Sequence, residues 1–153
     1  MDIEARLAAL GWELPQSVKP VAAYVPVNQA GDLLVVSGQL PIKSGALLAC
    51  GSVPSVVNLE QATHAAGQCT VNALAAIGNY LEGDWSRMLQ VVRVGVFVQS
   101  DQGFGSQPQV ANGASELLVS VFGNAGRHAR AAVGVNALPL NASVEVELTV
   151  RIR

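Results

Sequence analysis

Three charged side chains stand on runs that are otherwise built to be buried. Residues 143–153 (SVEVELTVRIR) alternate with period two, so Val144, Val146, Leu148, Val150 and Ile152 share one face, while Glu145 and Glu147 share the other with Ser143, Thr149 and Arg151. Residues 130–137 (RAAVGVNA) alternate in the same way and set Arg130 on the face of Ala132, Gly134 and Asn136. A guanidinium is planar and holds a carboxylate through two parallel hydrogen bonds, which an ammonium cannot reproduce. A carboxylate on a partly buried strand face can take or give a proton, or hold a water. If the two runs, joined by the short turn 138–142, pair with each other, one cation and two anions look onto a common surface. From spacing alone, Arg130 reads more simply as an arginine opening a strand, beside Arg127 and His128 in one polar turn. Glu147 fits a salt-bridge partner better than a catalytic group, and the same plain role is the alternative for Glu145.

The elements that must position these residues are written in the patterning upstream. Residues 3–10 form a short helical pattern closed by Gly11 and Pro15, and residues 16–20 read as a linker, so 1–20 is an appendage to a single domain spanning 21–153. Residues 21–27 and 33–37 read as two strands around a loop at 28–32. Ser37-Gly38-Gln39 ends the second strand, and 41–54 is a loop with room for a short strand at 46–50. Asn58 with Gln61 three residues on predicts a capping box and then a long helix, with Ala62, Ala66, Cys69, Ala73, Ile77 and Tyr80 recurring at helical spacing and Gly83 as its stop. Residues 91–99 (VVRVGVFVQ) predict a central strand covered on both faces. A further helix fits 108–122, with Pro108 at its first position and Gly123 as terminator. The order is two strands, helix, strand, helix, two strands: an α+β layer with helices on one side of a mixed sheet.

Composition narrows the function classes. The 153 residues are 50% apolar and only 13% charged, against roughly 25% charged for an average soluble domain. No uninterrupted apolar run approaches the ~20 residues of a membrane span, and the first residues are acidic without a signal pattern, which predicts a soluble, cytoplasmic protein. Apolar excess on such a chain points to subunit contacts. A net charge of −2 with scattered Lys and Arg lacks the basic stripe that phosphate-backbone binding needs, so nucleic acid is not an expected partner. Cys50 and Cys69 have no metal-ligand spacing and are expected to be buried free thiols. His64 and His128 lie in no catalytic or metal motif and read as solvated. Gly103-Phe104-Gly105 is not a dinucleotide fingerprint, because Pro108 replaces its third glycine. Neither metal nor cofactor is implied.

Two stretches carry a resemblance. The run Val35-Val36-Ser37-Gly38-Gln39-Leu40-Pro41, and about ninety residues later Arg130 with its small-residue strand, Leu138-Pro139 and the V-E-V-E of 144–147, resemble in that order the markers of the RidA/YjgF family over roughly residues 20–153. The resemblance implies the chorismate-mutase-like fold, in which three sheets meet around an axis as a trimeric barrel and ligand clefts lie between subunits. It sets Arg130 on the arginine that binds the substrate carboxylate and Glu145 on a glutamate near the reacting carbon. Tyr24 matches an aromatic residue of the first strand at the cleft wall, Asn112 a cleft-facing asparagine, and Ser37 and Gly38 a strand end whose backbone lies near the ligand. Ala132 stands where well-known members have a cysteine, at a position that acts largely through its backbone. The extra N-terminal helix implies a longer subfamily. The implied activity is cofactor-free hydrolysis of 2-imino or enamine acids to 2-keto acids and ammonia. The alternatives are a non-catalytic or regulatory module for small carboxylates and, less in keeping with the acidic balance, an endoribonuclease.

Overall fold

The computed structural model describes residues 2–16 and 23–153. Its elements in chain order are α1 (Ile3–Ala9), β1 (Val27–Ala30), β2 (Leu33–Gln39), β3 (Ile42–Lys43), β4 (Ala46–Leu47), α2 (Leu59–Tyr80), β5 (Met88–Gln99), α3 (Gln107–Phe122), β6 (Ala129–Val135) and β7 (Val144–Ile152). The main sheet runs β1-β2-β7-β5-β6, with β3 and β4 forming a separate small hairpin. All neighbours are antiparallel except β5 and β6, which α3 connects in parallel.

The period-two reading of β7 holds. Val144, Val146, Leu148, Val150 and Ile152 are all buried, as are Val94, Val96 and Val98 of β5, and together they make the sheet face on which α2 and α3 lie. The helices are locally specified. The Asn58 side chain accepts from the Gln61 amide while the Gln61 side chain accepts from the Asn58 amide, satisfying two otherwise unpaired donors at the start of α2. Gly123, at φ +62°, caps α3. Small residues let α2 and α3 approach closely: a Cβ on Gly113 would stand 1.9 Å from the Thr63 carbonyl oxygen.

Helix α1 shares this core through Ile3 and Leu7, both buried. The Arg6 guanidinium donates to the Val121 carbonyl. Beyond the helix, Trp12 stacks on His64 with ring centroids 4.7 Å apart, in a notch that Gly67 leaves open. No helix among the described residues is long and apolar enough to cross a membrane.

The elements differ from the sequence expectation in five places. The strand placed at 21–27 begins only at Val27, because Pro26 has no amide hydrogen for the ladder, and residues 21 and 22 lie outside the described residues. Most of the loop placed at 28–32 is strand, and the turn shrinks to Gly31-Asp32 with Gly31 at φ +63°. The short strand placed at 46–50 covers only Ala46–Leu47. The two C-terminal runs do not pair, since β5 lies between them, and the helices cover only one face of β5, leaving Arg93 exposed and Phe97 half-buried on the other.

Candidate functional site

Register decides which way each charged residue points. Arg130 of β6 lies opposite Val94 and Ala132 opposite Val96, and both valines are buried under the helices, so Arg130 looks toward α3. Its Nη1 donates to Asn112 Oδ1 at 2.9 Å and to Ser115 Oγ at 3.1 Å, two groups about one turn apart on α3. Both Nη1 hydrogens are thereby used, and the Nε–Nη2 edge is the geometry for a bidentate carboxylate. Ala132 is half-buried and packs on the core, which leaves its backbone as what it can offer a ligand.

Glu145 belongs to the opposite face. It lies across from Phe97, and Glu147 across from Gly95, on the side of the sheet away from the helices. Arg130 and Glu145 therefore do not share a surface within one chain, contrary to the pairing that the alternating runs suggest. The Glu145 carboxylate rests over Gly38: a Cβ there would stand 1.9 Å from Glu145 Oε1. A bulge makes this fit, because Ser37 and Gly38 together oppose the single residue Glu147 between the pairs Val36–Leu148 and Gln39–Val146. Burial pushes the Glu145 carboxyl above its ordinary pKa, and the neighbouring Glu147 carboxylate adds to the rise. Glu147 lies over Gly95 in the same manner and pairs with Arg93 at 2.7 Å. That ion pair is largely exposed and contributes little stability.

The other sequence-derived candidates divide between the two faces. Ser37 works on the backbone, its Oγ donating to the Val25 carbonyl at 2.7 Å and so fixing the segment that carries Tyr24. Tyr24 is 59% exposed and sits on a bend rather than in a strand. With Gly38, Asn72, Lys43 and others it lines a cavity of about 720 Å³ beside α2 and the β3–β4 hairpin. Cys50 is exposed, not buried, whereas Cys69 is buried and burial holds its thiol well above the ordinary range. No group of metal-ligating side chains occurs among the described residues.

Two residues at the Arg130 end were missed from sequence. His128, read as solvated, is half-buried: its Nε2 lies 2.9 Å from Ser115 Oγ and its Nδ1 2.6 Å from the Gly126 carbonyl oxygen. The one legible signal was spacing, since 128 lies two residues before 130 at the entry to β6 while 112 and 115 share a helix face.

A family model described as "YjgF/chorismate mutase-like, putative endoribonuclease" matches residues 4–152. The chain belongs to this family. Among relatives of this YjgF-like protein, Protein TCP17 of Trypanosoma cruzi is 40% identical over 98% of this chain and 94% of its own length. A solved protein of unknown function from Agrobacterium tumefaciens is 46% identical, with a TM-score of 0.91 over 98% of this chain and 91% of that one. A "putative endoribonuclease" from Shewanella oneidensis is 33% identical, with a TM-score of 0.92 over 98% and 99%. The YjgF match begins within α1, and its span holds both S-G-Q and V-E-V-E, the two stretches that the Gly38–Glu145 contact locks together.

Proposed function

We propose that this protein hydrolyses 2-imino acids to 2-keto acids and ammonia at sites completed between copies of the chain. The observation that carries the reading is the split of the site: the Arg130–Asn112 end faces the helix layer, and Glu145 over Gly38 faces away from it. One small substrate reaches both only if a second copy brings its Glu145 to the first copy's Arg130. Arg130 then clamps the carboxylate through its Nε–Nη2 edge. Water adds to the imine carbon, the nitrogen gains a proton, and collapse of the carbinolamine expels ammonia and leaves the keto group. Glu145, whose pKa is raised by burial and by Glu147, is suited to hold and move that proton. Every step uses side chains and water alone.

The test mixes two defective proteins. Arg130→Ala and Glu145→Gln, each expected to be inactive, are dissociated together and reassembled, and ammonia release is followed from the imine of pyruvate generated in place by oxidation of alanine. Random mixing gives about a quarter of the sites both intact residues, so activity returns toward that fraction. If both residues served a site within one chain, no mixture would recover. Wild-type protein that binds pyruvate without accelerating hydrolysis would instead identify a carboxylate-binding module.

A further inference from the structure

The hydrogen bonds behind Arg130 form a chain with a single direction. The Gly126 carbonyl can only accept, so His128 Nδ1 carries the hydrogen of that 2.6 Å contact, and Nε2 of the neutral ring is an acceptor. Ser115 Oγ, 2.9 Å from Nε2, then donates to His128, and its lone pair receives the Arg130 Nη1 hydrogen. Each donor meets one acceptor from Arg130 through Ser115 and His128 to Gly126, an arrangement in which successive bonds polarise and strengthen one another. A doubly protonated ring would break the order. Ser115 would then face a donor on either side, its own hydrogen would lose its acceptor, and a second cation would stand next to the Arg130 cluster.

The far end of the chain is rigidly seated. Gly126 is buried, and a Cβ on it would come within 2.2 Å of the Leu118 carbonyl oxygen, so its backbone lies directly against the backbone of α3. The same helix supplies Ser115 and Asn112. Arg130 itself is exposed, and a long exposed side chain ordinarily samples several rotamers, so fixing it costs entropy. Asn112 alone gives Nη1 one bond and leaves the guanidinium free to turn about it. Ser115, held by His128, supplies the second bond that fixes the plane and the aim of the Nε–Nη2 edge.

We propose that Ser115 and His128 are positioning residues that preorganise Arg130 to receive a carboxylate. The proposal rests on the reading of Arg130 as the carboxylate clamp, and its effect falls on ligand affinity and on KM rather than on the chemical step.

The test has a ligand-free and a ligand-bound arm. In the ligand-free protein, long-range nitrogen–proton NMR should find His128 as the Nδ1–H tautomer, and the Arg130 side-chain signals should be those of an ordered guanidinium that becomes averaged in Ser115→Ala. In calorimetric titrations with pyruvate, Ser115→Ala should bind about tenfold more weakly, the scale of one lost hydrogen bond to a charged group, and Ser115→Thr, which keeps the hydroxyl, should recover most of the loss. His128→Gln, with an acceptor near the Nε2 position, should fall between wild type and Ser115→Ala. Thermal unfolding of each variant separates lost aim from lost fold. An Nε2–H tautomer in the wild type, or unchanged Arg130 signals in Ser115→Ala, would overturn the relay. If Arg130→Ala abolishes pyruvate binding while Ser115→Ala leaves it intact, the relay fails and the clamp stands. If Arg130→Ala binds pyruvate normally, the clamp reading fails, and the ligand-free spectra alone decide whether the relay orders the side chain.

Discussion

Arg130 and Glu145 illustrate how one side chain's surroundings fix what it can do. At Arg130, anchoring through Nη1 leaves a planar edge for a ligand, so Arg130→Lys, which keeps the charge and loses the fork, is expected to weaken pyruvate binding by ~1.5–3 kcal/mol with folding little changed. Calorimetry beside thermal unfolding measures both, and equal affinity would return Arg130 to the role of an ordinary strand arginine. At Glu145, replacement by the nearly isosteric glutamine should lower imine hydrolysis by roughly 10²- to 10⁴-fold and leave pyruvate affinity mostly intact. Its stability effect has a definite sign. The folded protein holds the Glu145 proton more tightly than the unfolded chain, so wild-type stability declines as pH rises through the window between the ordinary carboxyl pKa and the raised one. Glu145→Gln is free of that loss. Its thermal midpoint should match wild type below the window and exceed it above. A wild type that is the more stable at neutral pH would mean that Glu145 meets a cation on another copy of the chain.

At the scale of elements, two glycines that look alike in sequence do different work. Gly38 is crowded by the end of a flexible side chain, Glu145 Oε1, whereas Gly113 is crowded by backbone, the Thr63 carbonyl. Gly38→Ala should therefore fold with nearly wild-type stability but push the Glu145 carboxylate off its seat, bringing turnover down toward that of Glu145→Gln. Gly113→Ala must part α2 from α3 and should cost about 1–3 kcal/mol, the usual scale of an overpacked core. Denaturant unfolding and imine hydrolysis on the two variants should show opposite patterns, and stability losses of equal size would refute the distinction. The same contrast marks what could be read from sequence. Helices α2 and α3 were legible, from Asn58 and Gln61 at one start and Pro108 and Gly123 at the two ends of the other, because caps and periodicity are local. Alternation gave the faces of β7 correctly, but it says nothing about which strand lies beside which. Inserting β5 between β6 and β7 therefore separated Arg130 from Glu145, the two residues whose side-chain chemistry marked them as candidates. Ser115 and His128 left only the spacing signal noted above, because a contact across thirteen residues leaves no periodic trace of its own.

At the scale of the whole molecule, the sheet face opposite the helices lacks a partner among the described residues. Val35 and Val133 are 47% and 45% exposed there, and half-buried Phe97 lies between Val133 and Glu145. Gln99 Oε1, on the same side of β5, is buried without a hydrogen-bond partner among the described residues, which is costly unless a donor arrives from elsewhere. Apolar surface, an unsatisfied acceptor and the split site are all resolved together if copies of the chain pack these faces around an axis, as the resemblance to trimeric barrels implies. Sedimentation at micromolar concentration should give a mass near three times 15.8 kDa. The face responsible can be tested directly. Val133→Asp adds a carboxylate next to Phe97 and should yield folded chains of lower mass with no imine hydrolysis. Val119→Asp, at an exposed position of α3, should leave mass and turnover unchanged. A wild-type monomer that still hydrolyses imines would remove the trimer and the intersubunit site together. A trimer undisturbed by Val133→Asp would keep the assembly and move its interface off this face, so that another surface would have to bring Glu145 to Arg130.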